Sequence, residues 1–300
     1  MAPRLFRSTA VLKRDSDRMK KRLIIVAFIA ISMLNNYRWS FSEEGKRLRI
    51  VSLAPSTTEI IFALGLDSEI VGVSQFCDYP EAALAKERVG AFSQPNIEKI
   101  ISLRPDIIFC TGLEQAPTIE KLRQLNLKVC ISDPSNFKEL FDSIAEIGNL
   151  VGREGQAARL ITEMRESIRM ISSQANSVPR EKRPKVFVEI WHSPLMTAGK
   201  GSFVDELITS AGGLNIAHDM KKAFGYFSPE AVIRRNPDCI ILAYMDKENA
   251  REALGRRLGW NRIAAVKSGR VYNDINSDWL LRPGPRLIDG LKEVHKRLYP

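Results

Sequence analysis

Few residues in this sequence have the types and spacing that catalysis or metal binding requires. The histidines His192, His218 and His295 are far apart along the chain, and the cysteines form no Cys-x-x-Cys pair or other zinc-binding spacing. There is also no glycine-rich phosphate loop and no Gly-x-Ser-x-Gly nucleophile elbow. The sequence therefore predicts a protein that is not an enzyme and that carries no resident metal or cofactor.

The cysteines and one histidine leave alternatives open. Cys110 and Cys130 each lie in an apolar, strand-like run, where a small buried thiol is the expected state and a disulfide is the alternative. His192 follows a predicted strand and stands beside Trp191. It is a candidate axial ligand for the metal of a bound chelate, with a plain hydrogen-bonding role as the alternative.

The aromatic residues give a stronger signal, because many of them fall in loops that follow predicted strands or precede helices. These residues are Phe76, Tyr79, Phe92, Trp191, Phe224, Tyr226, Phe227 and Trp279. Open α/β sheets bind ligands at the carboxyl ends of their strands, and aromatic rings bury a large area at little entropic cost. The pattern favours a broad, flat, partly apolar ligand, with packing between lobes as the alternative for each ring.

The elements that must position these loops are short apolar strands alternating with short helices. The alternation occurs in the first half of the chain and resumes after a helical stretch over 137–173 that is interrupted near Gly148 and Gly152. Glu59, which follows a run of Ser and Thr, resembles the capping carboxylate of one early helix. The pattern predicts an α/β fold of two lobes with parallel sheets. The predicted divisions are a leader over 1–41, a first lobe over 48–150, a connecting helix over 151–180 and a second lobe over 184–300.

The two halves also share an internal repeat. Residues 96–108 and 228–240 each contain a cap residue, a glutamate, a short helix and a Pro-Asp pair that leads into a strand. Glu98 and Glu230 therefore occupy corresponding positions near the first turn of corresponding helices. From the spacing alone, helix capping and a shared functional role are equally good explanations of the two carboxylates.

The charge is concentrated at the amino terminus. The net charge is +10, but residues 1–41 hold most of the excess, so nucleic-acid binding loses its support. Lys20, Lys21 and Arg22 precede an apolar run over 23–34, which is typical of a secretory signal and short for a membrane span of roughly 20 residues. We expect an exported, periplasmic protein whose start is either Met1 or Met19, with an uncleaved N-terminal anchor as the alternative to cleavage.

Several segments resemble the cobalamin-binding branch of the periplasmic binding proteins, a helical-backbone class that also serves iron siderophores and haem. The matching segments are 49–60, 71–73, 77–80, 103–108, 211–215 and 282–286. Together they extend the resemblance over nearly all of residues 48–300. The resemblance implies two Rossmann-like lobes joined by a single long backbone helix, with the ligand in the cleft between them.

The resemblance also implies a function and its partners. The chain would capture cobalamin or a related corrinoid and deliver it to an ABC permease dimer with its ATPase subunits. It would be a monomer when free, and Glu98 and Glu230 would dock on the permease. The implied ligand-binding residues are Ser56, Phe76, Tyr79, Phe92, Trp191, Phe224, Asp278 and Trp279.

Three alternatives remain at this point. A haem or a ferric siderophore would be bound by the same class of protein, and an anionic siderophore would use Arg282 or Arg286. A membrane-tethered sensor without a transporter is a second possibility. The third is a metal-site enzyme on a chelatase-like two-lobed fold, whose ligands would be Cys77, Cys110 and Cys239, or His192 and His218.

Overall fold

The structure is a computed structural model that describes residues 47–244 and 250–300. The predicted leader over 1–41 and the alternative start at Met19 lie outside the described residues. Among the residues described, no helix has the length and apolar character needed to cross a membrane.

The described elements alternate as the sequence predicts. The strands are β1 (Ile50–Ser52), β2 (Ile70–Val73), β3 (Ile107–Cys110), β4 (Val129–Ile131), β5 (Lys185–Glu189), β6 (Trp191–His192), β7 (Leu195–Ala198), β8 (Leu214–Asn215), β9 (Phe224–Tyr226), β10 (Cys239–Leu242) and β11 (Val271–Tyr272). The α-helices are α1 (Pro55–Ala63), α2 (Ile97–Ser102), α3 (Ala116–Gln124), α4 (Phe137–Leu150), α5 (Glu154–Asn176), α6 (Phe203–Ser210), α7 (Pro229–Arg235), α8 (Ala250–Gly255), α9 (Ala264–Lys267), α10 (Asp278–Leu281) and α11 (Leu287–Leu298).

The first lobe is built on a parallel sheet with the strand order β2-β1-β3-β4. Val51 pairs with Ile108, and Ile108 pairs with Val129. All residues of β1 and β3 are buried, as expected for parallel strands that are covered by helices on both faces. Helices α1, α2 and α3 form the successive connections, so the loops after the strands meet at one edge of the sheet.

The second lobe repeats the plan with a parallel sheet in the order β11-β10-β5-β8. It also carries a small antiparallel sheet, β6-β7-β9, that the sequence did not predict. Trp191 pairs with Met196, and Ala198 pairs with Phe224. Strands of two to four residues are too short to show an alternating pattern, so the hairpin at the carboxyl end of β5 left no clear signal.

Helix α5 joins the lobes. Its 23 residues make it about 35 Å long, and it lies within the predicted 151–180 segment. Gly152 separates it from α4 and has φ +68°, a conformation that glycine adopts readily. Met164 and Ile171 of α5 belong to one apolar cluster that contains buried residues of both lobes. The backbone helix is therefore packed into a core that the two lobes share.

Candidate functional site

A cavity of about 240 Å³ lies between the two lobes. On the first-lobe side it is lined by Ala54, Pro55, Ser56, Phe92, Thr111 and Asp133, and on the second-lobe side by Leu281, Arg282 and Pro283. Ser56 follows β1, Thr111 follows β3 and Asp133 follows β4. The first-lobe wall is thus formed by loops at the carboxyl ends of the parallel strands, where open α/β sheets bind ligands.

The most exposed aromatic side chains lie in the loop after β2 and in the small antiparallel sheet. Within the described part of the chain, those with high exposure are Phe76 (54%), Tyr79 (46%), Trp191 (43%), Phe224 (47%) and Tyr226 (74%). Phe76 and Tyr79 follow β2 in the first lobe, whereas the other three belong to the small antiparallel sheet of the second lobe. Contiguous exposed apolar surface marks a site for a ligand or a partner, and these rings are the candidates for such a surface.

A buried glutamine organises the first-lobe loops. The side-chain amide of Gln115 donates to the backbone oxygens of Phe92 at 2.7 Å and Leu53 at 3.1 Å. Its side-chain oxygen accepts from the backbone N–H of Thr111 at 2.9 Å. Gln115 thereby fixes three loops around the cavity. Sequence reasoning missed it, because a single glutamine carries no local signal of such a role.

Trp191 and His192 lie on the hairpin that follows β5. The indole N–H of Trp191 donates to the backbone oxygen of Ser193 at 2.9 Å, and both rings pack around Tyr244, with His192 at 5.6 Å between centroids. His192 remains exposed. The hairpin thus presents both side chains at the carboxyl edge of the second-lobe sheet.

The other histidines have structural partners. The Nδ1 atom of His218 lies 3.0 Å from the carboxylate of Asp205, and that of His295 lies 3.0 Å from the backbone oxygen of Ala211. In residues 47–244 and 250–300, no three His, Cys, Asp or Glu side chains come together as a metal site. The structure therefore does not bring the three cysteines of the metal-enzyme alternative together.

The cysteines are free and buried. Cys110 and Cys130 pack into different apolar clusters, because they point to opposite faces of the first-lobe sheet, so the disulfide alternative is not realised. Burial raises the pKa of Cys110 and of Cys239 to about 12, and that of Cys130 to about 11. These thiols are inert packing groups rather than nucleophiles or metal ligands.

Glu98 and Glu230 are both exposed in the first turns of α2 and α7. The caps of these helices are other side chains: Asn96 accepts from the N–H of Lys99 at 2.9 Å, and Ser228 accepts from the N–H of Ala231 at 3.3 Å. The hydroxyl of Ser228 also donates to Glu230 and lowers the pKa of that carboxyl below its usual value. Neither glutamate supplies the cap, and both carboxylates are exposed to solvent.

An unexpected group of charges connects the lobes beside the cavity. We call it the inter-lobe ion-pair network, and its members are Glu59 and Asp78 of the first lobe and Asp278, Arg282 and Arg286 of the second. Nε of Arg286 donates to Glu59 at 2.9 Å. Arg282 contacts Asp78 at 2.6 Å, Asp278 at 2.9 Å and Glu59 at 3.6 Å.

Three residues that the sequence analysis singled out, Glu59, Asp278 and Tyr79, contact the arginines of the network. Glu59 does not cap α1, because the N-cap residue is Ala54 without a side-chain bond; Glu59 is instead buried against Arg286. Asp278, predicted to contact the ligand, is held by Arg282. Tyr79 stacks against Arg286, with 4.0 Å between the guanidinium carbon and the ring centroid, and lines a separate groove of about 390 Å³ together with Glu59 and Arg286.

Trp279 is only partly exposed, and its backbone packs closely against Gly290 of α11. A Cβ atom at Gly290 would lie 2.0 Å from the backbone oxygen of Trp279, so only glycine permits this approach. The close contact fixes the short helix α10 that carries Asp278 and Trp279. Both residues precede Leu281, Arg282 and Pro283, which form the second-lobe wall of the cavity.

Comparison with known proteins gives consistent matches over most of the chain. A profile of the periplasmic binding protein family matches residues 50–276. The uncharacterized ABC transporter substrate-binding lipoprotein YvrC of Bacillus subtilis (strain 168) is 33% identical over 291 residues, which cover 95% of this chain and 90% of the relative.

Two solved structures share the fold. A possible iron-binding (periplasmic solute-binding) protein from Staphylococcus epidermidis ATCC 12228 superposes with a TM-score of 0.74 at 33% identity, covering 84% of this chain and 98% of the other. The periplasmic vitamin B12 binding protein BtuF of Vibrio cholerae gives a TM-score of 0.71 at 30% identity, covering 83% and 96%. The predicted two-lobed α/β fold is confirmed by these structures.

Proposed function

The chain belongs to the periplasmic binding protein family, and from this premise we propose that it is the exported substrate-binding subunit of an ABC importer that captures cobalamin or a related corrinoid. Its relatives are substrate-binding transport proteins rather than enzymes. The corrinoid is the ligand that is carried, and the proposal includes no resident cofactor.

The proposed ligand class rests on the exposed aromatic rings of both lobes. A corrinoid is a wide macrocycle with apolar faces and a polar rim. Each large aromatic side chain can bury roughly 150–250 Å², and burial of apolar area contributes about 25 cal/mol per Å². Phe76 of one lobe and Trp191 and Phe224 of the other would cover the macrocycle, while Ser56 and Phe92 line the cavity between the lobes. His192, exposed beside Trp191, is the candidate axial ligand.

Delivery to the membrane would use the two exposed glutamates. Glu98 and Glu230 occupy equivalent positions on α2 and α7, one in each lobe, so a permease dimer can contact both with equivalent cationic side chains. Charge pairs of this kind fix orientation and speed encounter more than they add affinity. The permease works with ATPase subunits, and the leader over 1–41 would export the protein or tether it to the membrane.

Haem or a ferric siderophore is the second candidate ligand, favoured by the likeness to the possible iron-binding protein of Staphylococcus epidermidis. Purified residues 42–300 should be titrated with hydroxocobalamin, haemin and ferric siderophores by absorbance and calorimetry. Saturable binding of the corrinoid at one site per chain is the expected result. Saturable binding of haemin or of a siderophore alone would change the proposed ligand from a corrinoid to that compound and leave the transport function standing. A catalytic reaction without binding would refute the transport function.

A pair of variants tests whether the rings make the site. Trp191→Ala should weaken corrinoid binding by roughly 10- to 100-fold, which corresponds to a loss of about 1.4–2.8 kcal/mol of aromatic contact. The matched control is Leu258→Ala, since Leu258 is 97% exposed but lies on the loop after α8, outside the aromatic loops. Equal effects of the two substitutions would show that Trp191 does not contact the ligand.

A further inference from the structure

We infer that the inter-lobe ion-pair network is a charge filter for the ligand: it holds both cleft arginines in ion pairs, leaves an excess of carboxylates, and so excludes chelates that carry carboxylates. The inference rests on the proposed function, since it assumes that the ligand enters the cavity between the lobes. The network residues would thus select the class of ligand, in addition to the residues that contact the ligand.

The charge count beside the cavity is negative. The network contains three carboxylates and two guanidinium groups (Glu59, Asp78, Asp278, Arg282 and Arg286). Asp133 adds a fourth carboxylate to the cavity wall, and Arg282 is the only cation among the described residues that line it. With all groups ionised, this region carries a formal charge of −2. An anion that enters would meet more negative than positive charge.

Neither arginine is free to turn toward a ligand. The Arg286 side chain is 11% exposed and pairs with Glu59, whose side chain is 2% exposed. The Arg282 side chain is 17% exposed and is surrounded by carboxylates from both lobes. Removing one partner of a buried pair leaves an uncompensated charge and is strongly unfavourable. This cost applies directly to Arg286 with Glu59. The pair of Arg282 with half-exposed Asp78 is weaker, but Arg282 is also held by Asp278 and by buried Glu59. An anionic ligand therefore gains little from these arginines, because it would have to displace them from these partners.

The candidate ligands differ in the number of carboxylates that they carry. Haemin carries two propionate groups, and many siderophores carry carboxylates, whereas the rim of a corrinoid carries mainly amides. Like charges placed together across an interface suppress binding of the wrong partner, and specificity commonly depends on such repulsion as well as on attraction. The network therefore favours the corrinoid by disfavouring its competitors.

The test compares Asp78→Asn with Asp67→Asn in the full chain. Both aspartates are in the first lobe, with side chains 52% and 58% exposed, and each pairs with a cation of similar burial, Arg282 or Lys86. Asp78 follows β2 on the cavity side, whereas Asp67 precedes β2 at the opposite edge of the sheet. The probes are cyanocobalamin and haemin, titrated into each variant.

Asp78→Asn should raise the ratio of haemin affinity to cyanocobalamin affinity by roughly tenfold, which corresponds to about 1.4 kcal/mol, and Asp67→Asn should not change it. A second measurement needs no variant: raising salt from about 0.05 M to about 0.5 M should strengthen haemin binding to the wild type, because repulsion is screened. If cyanocobalamin binds but the ratio is the same in both variants, or if salt weakens haemin binding, the charge filter is wrong and the transport proposal stands. If the wild type binds haemin and not cyanocobalamin, the charge filter is wrong and haem takes the place of the corrinoid in the transport proposal. If it binds neither probe and no ferric siderophore, the transport proposal is wrong as well.

Discussion

Arg286→Met should destabilise the protein far more than the loss of an ordinary ion pair. The carboxylate of Glu59 is buried, at 4% exposure of the residue, and Arg286 donates to it through two nitrogens. Removing one partner of a buried pair typically costs about 3–5 kcal/mol. Arg282 remains 3.6 Å from Glu59 and compensates part of the lost charge, so we expect a value near the lower limit, about 3 kcal/mol.

The measurement is unfolding of the full chain, followed by circular dichroism in urea and on heating. For a domain of roughly 250 residues, about 3 kcal/mol corresponds to a fall in Tm of about 6–12 °C. The double variant Glu59→Gln with Arg286→Met removes the stranded charge and should recover most of the loss. A recovery of this kind is a coupling between the two sites, which only a double-mutant cycle isolates.

The matched control is Lys138→Met, which breaks the exposed pair between Lys138 and Asp142, whose side chains are 83% and 60% exposed. Its effect should be within about 0.5 kcal/mol. If Arg286→Met costs no more than this control, or if the double variant is as unstable as the sum of the single ones, the buried pair does not stabilise the contact between lobes and the reasoning fails.

Three further outcomes can be measured. Glu98→Ala combined with Glu230→Ala should leave corrinoid affinity unchanged and abolish uptake in cells, and a loss of affinity would contradict the docking role. Because burial raises the pKa of the cysteine thiols, native protein should not react with a thiol reagent at about pH 8, whereas urea-unfolded protein should react at every cysteine; rapid native labelling would contradict the buried placement. Partial burial opposes ionisation of Asp78, but the hydrogen bond and charge of Arg282 outweigh it and lower the pKa of Asp78. The stability from this pair is therefore complete above the ordinary value of about 3.9 and is lost as the pH falls through the lowered one. Acidification should reduce the free energy of unfolding, measured in urea, more for the wild type than for Asp78→Asn, by less than about 1 kcal/mol because the group is half exposed.

Local patterns were sufficient for the first-lobe elements and for the repeat. The buried strands β1 and β3 are continuous apolar runs, and α2, which precedes β3, begins at a side-chain cap, Asn96. The repeat placed Glu98 and Glu230 at equivalent points without any knowledge of the sheets, because a helix start followed by Pro-Asp and a strand is a local motif. The structure shows both glutamates exposed, as a docking role requires, and docking itself stays a prediction.

Contacts between distant segments were not predictable in the same way. Glu59 and Arg286 are 227 positions apart, and the local pattern around Glu59 is that of a helix cap, so the sequence suggested a partner in its own helix. Gln115 holds Leu53, which is 62 positions away, through a side chain that has no distinctive spacing. The antiparallel sheet of the second lobe depends on pairing between strands of a few residues, which is decided by tertiary contacts rather than by propensity.

The two ends of the contact between lobes have different strengths, and the difference bears on how the cleft can open. At the base, one apolar cluster runs through both lobes and α5, and the N–H of Phe137 in α4 donates to Glu206 of α6 at 2.7 Å. Beside the cavity, the pair of Arg286 with Glu59 is buried, whereas Asp78 of the pair with Arg282 is half exposed. Breaking a buried pair costs about 3–5 kcal/mol, and breaking an exposed one about 0–1 kcal/mol. We therefore expect that a movement which admits or releases ligand separates Arg282 from Asp78 first, and that the base of the cleft stays closed because a wider opening would expose the shared core.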